Sequence, residues 1–123
     1  MRQDTALAAR CKAALLASFA MGEGSFEAVA RVDDLRPGTV TTVYAGETPV
    51  ALARVGDEVY AVQHACLHLK GPLGAGHLEG CVLSCPWHGW QYDVRTGENE
   101  FDRAIRLRTY EVKVSDGEIL VAL

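Results

Sequence analysis

An all-β body, a sandwich or barrel, is the fold class this chain predicts, and three observations carry that prediction. Short runs rich in Val, Thr, Tyr and Ala recur from residue 26 onward. Turn residues such as Gly-Asp and Asp-Gly close them, and apolar and polar side chains alternate along the run at 110–115 as they do along a strand with one buried face. At 123 residues the chain is one domain in length, with enough apolar side chains for a core that needs no covalent staples.

Residues 5–21 break from that rhythm and read as a helix. Leu7, Cys11, Leu15 and Phe19 recur every four residues on one stripe, Asp4 or Thr5 can cap the start, and Gly22 and Gly24 stop it. Arg10 and Lys12 interrupt the apolar run too early for a cleaved secretory signal, so a retained helical extension over 1–25 is expected. Such a stripe packs on its own domain or serves as a docking face.

The strands follow in order. "FEAVARV" (26–32) ends in the turn "DDLRPG", and "TVTTVYA" (39–45) ends in "GET". "PVALARV" (49–55), the turn "GDE" and "VYAVQ" (59–63) make a hairpin. Residues 64–92, rich in Gly and Pro around one apolar strand, "CVLSC", read as a small metal-binding insert at one end of the β body. "WQYDV" and the turn "RTGE" come next. "YEVKVS" (110–115) then places Tyr110, Val112 and Val114 on one face, and "DGE" turns the chain into "ILVAL" (119–123).

Charge narrows the function. Twelve basic against sixteen acidic residues, a net of −4, leave no basic footprint for nucleic acid and no polybasic anchor for a membrane surface. No apolar run is long enough to span a bilayer.

The chemistry concentrates between Cys66 and Trp90. Cys66-x-His68 and Cys85-x-x-His88 set a thiol beside an imidazole twice, at short fixed offsets that a disulfide would not need. Metal ligation accounts for the histidines, and free thiols point to a reducing, cytoplasmic compartment. Two donor sets compete: a closed zinc tetrahedron of two thiolates and two imidazoles, or a two-iron, two-sulfide cluster with the same ligands. Ligand identity does not separate them, but order does. Zinc fingers group cysteines with cysteines and histidines with histidines, whereas here each loop supplies one of each. That suits a two-metal rhomb held between two loops. Gly71, Pro72 and Gly89 allow tight turns whose N–H groups reach sulfur, and Pro86 stiffens the second loop.

Cys-x-His, sixteen residues, then Cys-Pro-x-His-Gly resembles the Rieske iron–sulfur family, and "GPLGAGHLEG", "CPWHGWQYD" and "TGE" are similar to Rieske ferredoxins. The resemblance covers residues 26–123 and implies a Rieske-type antiparallel β fold with an inserted cluster-binding subdomain at about 64–92. It implies one 2Fe–2S cluster, with Cys66 and Cys85 on the buried iron and His68 and His88 on the outer one. Gly71, Trp87, Gly89, Trp90 and Tyr92 would surround it. High-potential relatives join their cluster loops by a disulfide; the matching positions here are Gly71 and Trp87, so that bridge cannot form. Where they hydrogen-bond a sulfide with Ser, this chain has Trp90, while Tyr92 matches their sulfur-bonding Tyr.

By resemblance to the ferredoxins of ring-hydroxylating dioxygenase systems, the chain carries one electron from a flavoprotein reductase to a terminal oxygenase and is not itself an enzyme. The alternatives are the small subunit of a nitrite reductase or a zinc-stabilised structural module. A self-contained oxygenase would need a further iron on two histidines and a carboxylate, and only His64 and His77 are spare. Those two read as loop polar groups, and Cys81 and Cys11 as buried small hydrophobes. Glu98, Glu100 and Asp102 read as a solvated acidic loop.

Neutral imidazoles in place of two thiolates leave the oxidised cluster near zero charge, which places such centres at about −150 to +300 mV against about −400 mV for plant-type clusters. With neither the Ser nor the disulfide, a redox titration of the loaded protein is expected to give a midpoint below about +200 mV. That midpoint should fall as pH rises through the alkaline range, because the oxidised centre releases the imidazole proton more readily than the reduced one.

Overall fold

Nine strands occur among the described residues: β1 (Phe26–Arg31), β2 (Thr39–Ala45), β3 (Thr48–Val55), β4 (Glu58–Gln63), β5 (His77–Glu79), β6 (Val82–Ser84), β7 (Gln91–Asp93), β8 (Thr109–Ser115) and β9 (Glu118–Ala122). The computed structural model describes residues 26–67, 69–87 and 89–123, so the helix expected at 5–21, together with His68 and His88, lies outside the described residues. A six-stranded antiparallel sheet runs β1-β9-β8-β4-β3-β2, and β1 also packs beside β2, so that sheet curls into an open barrel. A separate three-stranded sheet, β5-β6-β7, forms the insert.

Strand β3 joins the two. Val50 and Leu52 point into the barrel with Leu35, Ala61, Ile119 and Val121. Ala51, Ala53 and Val55, on the opposite face, meet Leu73, Leu78, Leu83 and Tyr92 of the insert. Both faces are covered, which is why "PVALARV" reads as a continuous apolar run rather than an alternating one. The small alanines let the insert approach closely. In the insert, Leu78, Leu83 and Tyr92 lie opposite one another across three strands and form the face pressed on β3.

The strands fall close to where the sequence places them, with two differences. The insert has three strands: β6 and β7 fall within "CVLSC" and "WQYDV", but β5, three residues long, is too short for a periodic signature. Val114, expected on the buried face of β8, is 50 % exposed. Strand β4 pairs β8 only at Ala61–Tyr110 and Val62–Thr109, so among the described residues no strand pairs with the far half of β8 on that side.

Loops are fixed by named groups. Arg54 donates to the carbonyls of Val32 (3.1 Å) and Leu35 (2.8 Å), tying the connection after β1 to β3. Asp93 and Arg95 form a largely buried ion pair at 2.6 Å that closes the turn after β7. The carboxamide of buried Asn99 accepts from Phe101 N–H (2.8 Å) and Asp102 N–H (3.0 Å). The stretch read as a solvated acidic loop is exposed at Glu100 and Asp102 and is also hydrogen-bonded, Asp102 accepting from Ala104 N–H.

Leu52 has no solvent exposure at the barrel centre, so Leu52→Ala should cost about 2–5 kcal/mol. Urea unfolding should show a lower midpoint at unchanged slope; an unchanged midpoint would place Leu52 outside the core.

Candidate metal centre

Two loops leave the body at the same end and repeat one backbone pattern. The first follows β4. Cys66 N–H donates to Gly71 C=O (2.9 Å), and Cys66 C=O accepts from Lys70 N–H (2.9 Å). The second joins β6 to β7. Cys85 N–H donates to Trp90 C=O (2.8 Å), and Cys85 C=O accepts from Gly89 N–H (3.2 Å). Each cysteine thus spends its own peptide group closing the loop that it opens. The fourth residue after each cysteine is left-handed, Lys70 at φ 58° and Gly89 at φ 73°, which the tight closure requires.

The closures aim both thiols into the protein. Cys66 and Cys85 are 1 % and 2 % exposed and are the free thiols among the described residues. Cys81 is wholly buried as its apolar run suggests, but it is not among those free thiols. The Tyr92 hydroxyl lies 3.3 Å from Cys66 Sγ; toward a thiolate it can only be the donor. Trp87 N–H donates to Cys85 Sγ at 3.4 Å. Burial pushes the Cys85 thiol up, the Trp87 N–H offsets this in part, and the neighbouring Cys66 side chain raises it further. Burial also raises Tyr92, with its bond to Cys66 adding to the effect, so the phenol keeps its proton.

Room at the centre depends on Gly71. A Cβ built there would sit 2.5 Å from Cys85 Sγ and 3.2 Å from the Trp87 ring, so any side chain would collide with the thiol of the opposite loop. Trp87 itself is half exposed, its ring lying across Gly71 and bridging the two loops. Trp90 is partly buried against the insert core. His64 accepts from Gly74 N–H at Nδ1 (3.3 Å) and from Leu73 N–H at its carbonyl (2.9 Å), a clip on the chain leaving the first loop. His77 opens β5 opposite Ser84, exposed.

Of the sequence-predicted residues, the structure brings together Cys66, Cys85, Gly71, Trp87, Gly89, Trp90 and Tyr92. The two histidines lie outside the described residues, and among the described residues no three His, Cys, Asp or Glu form a metal-holding group. What the sequence reading missed is the structural part of His64, whose clip depends on Leu73–Ala75 forming a 3-10 turn. Two adjacent buried thiols, each with its own hydrogen-bond donor and a side-chain-free wall at Gly71, fit an iron–sulfur cluster: buried thiolates need donors, and the inorganic core needs space.

Comparison with known proteins agrees. The Rieske [2Fe-2S] domain family matches residues 25–111. The chain is 38 % identical over 96 residues to "Ferredoxin CarAc" of Metapseudomonas resinovorans, covering 76 % of this chain and 90 % of that one. Among solved structures, it resembles a chain in "Complex of reduced oxygenase and oxidized ferredoxin in carbazole 1,9a-dioxygenase" at 37 % identity and TM-score 0.72, over 79 % of this chain and 92 % of that one. It also resembles the ferredoxin of carbazole 1,9a-dioxygenase from Nocardioides aromaticivorans IC177 at 35 % identity and TM-score 0.75, over 80 % of this chain and 97 % of that one. Paired loops that bury two thiols at the end of a curled β body, together with these matches, show that the chain belongs to the Rieske [2Fe-2S] family, as a one-electron carrier of the ferredoxin type with a single 2Fe–2S cluster.

Proposed function

We propose that Cys66, His68, Cys85 and His88 are the cluster ligands, the two thiolates on the inner iron and the two imidazoles on the outer one, and that the chain passes electrons from a flavoprotein reductase to a terminal oxygenase in the cytoplasm. The observation that carries this reading is the repeated loop pattern, which delivers two buried thiols to one place with a histidine two or three residues after each in sequence. When bound, the cluster accepts and releases one electron.

The chain's own residues do the rest. Tyr92 and the Trp87 N–H donate to the two sulfurs and stabilise negative charge there. Leu73, Leu83, Tyr92 and Val94, all essentially buried, keep water from the thiol side. Leu67, Pro86 and Trp87, in the same two loops, are exposed and open to a partner. No long apolar helix occurs among the described residues, so nothing in them tethers the carrier to a bilayer through a helix.

Chemical analysis of purified protein should find two irons and two labile sulfides per chain; one zinc without sulfide would overturn the assignment. Gly71→Ala should abolish cluster retention, read as loss of visible absorbance, because its methyl would displace Cys85 Sγ. Tyr92→Phe should keep the cluster but lower its midpoint by about 40 mV, the equivalent of about 1 kcal/mol of hydrogen bonding that strengthens on reduction. Assay of NAD(P)H-driven turnover with reductase and oxygenase components checks the pathway. Transfer to a nitrite reductase instead of an oxygenase would select the alternative.

A further inference from the structure

The first loop holds bulky side chains where the second holds glycine. Both loops need a left-handed residue four places after the cysteine: Gly89 in one, Lys70 in the other. Leu69, just before Lys70, is left-handed too, at φ 62°. This conformation is free to glycine and costs every L residue, so Leu69 and Lys70 carry a strain that glycine at the same positions would avoid. Nor do their side chains recover it by packing. Leu69 is 64 % exposed, and Lys70 is exposed with no ion pair among the described residues. Leu69 is two positions from Leu67, 47 % exposed, and Trp87, 48 % exposed, reaches across Gly71 to this loop. Lys70 is the single formally charged side chain in Cys66–Pro72 and Cys85–Trp90, in a chain of net charge −4.

We propose that Leu69 and Lys70 are recognition residues: held in a strained turn, they present a leucyl side chain and an ammonium to the terminal oxygenase, which answers with an apolar patch edged by a carboxylate. The inference rests on the electron-carrier reading above and deepens it by naming what the docking face selects. Exposed side chains held where glycine would be unstrained fit a contact made in a complex. The oxygenase is the occupant to which it commits; a lone positive charge at the mouth of an acidic protein fixes the sign of the partner's rim.

The test uses the cluster-loaded full chain and four variants. Leu69→Gly and Lys70→Gly remove the side chain and relieve the strain; Leu69→Ala and Lys70→Gln remove the group and keep it. Both glycine variants should melt no lower than the native chain and keep its midpoint potential. Binding to the oxygenase, measured by calorimetry with the carbazole 1,9a-dioxygenase component first and then with any other that the native chain reduces, should weaken about tenfold or more for Leu69→Gly and Leu69→Ala alike. Lys70→Gln and Lys70→Gly should slow association several-fold and flatten its salt dependence. If the native chain reduces no oxygenase, the electron-carrier pathway falls and this inference with it. If the native chain reduces one and Leu69→Gly binds within twofold of native, only the inference falls. A glycine variant that loses stability or cluster shows that the residue serves the loop and not the partner. Impaired reduction by the reductase, with oxygenase binding intact, assigns the face to the other partner and overturns the commitment made here.

Discussion

Two thiols must be taken out of water, set side by side and kept ionisable, and most of what surrounds them answers that constraint. A buried thiolate without donors is expensive, so Tyr92 OH and Trp87 N–H are supplied, one to each sulfur. Two loops converging on one point leave little volume between them, so Gly71 has no side chain. Each loop is closed by its own cysteine's N–H and C=O, which makes the position of the sulfur a property of the backbone rather than of a side-chain rotamer.

Much of this was legible in the chain. The two Cys/His pairs and their spacing marked the centre, and the strand boundaries followed from apolar runs and Gly-Asp turns. The tight-loop role of Gly71 was visible as a residue type, but its reason was not. Only the folded chain shows that its neighbour is Cys85 Sγ, fourteen positions away in sequence. Tyr92 was legible through resemblance alone, since no local pattern predicts that a strand residue 26 positions from Cys66 will reach its sulfur. The histidine pair stays a reading of the sequence.

The rest was hidden for identifiable reasons. β5 is a three-residue strand whose partner lies across the insert, so pairing and not periodicity creates it. Val114 alternates as a core residue should, yet the neighbouring strand ends before reaching it. His64 carries no motif, and its work at Gly74 N–H appears only when the intervening loop folds back. Backbone handedness at Leu69 and Lys70 was likewise silent, because neither residue type announces a left-handed turn.

Strand β3 is a party wall. Its even-numbered residues belong to the barrel and its odd-numbered ones to the insert, so neither compartment can loosen without disturbing the plane that both lean on. A change in β3 therefore reaches the barrel core and the core under the cysteine loops together. The thiol-bearing tip thus shares its foundation with the barrel, since Cys66 and Cys85 pack in the same buried cluster as Ala51 and Ala53 of β3.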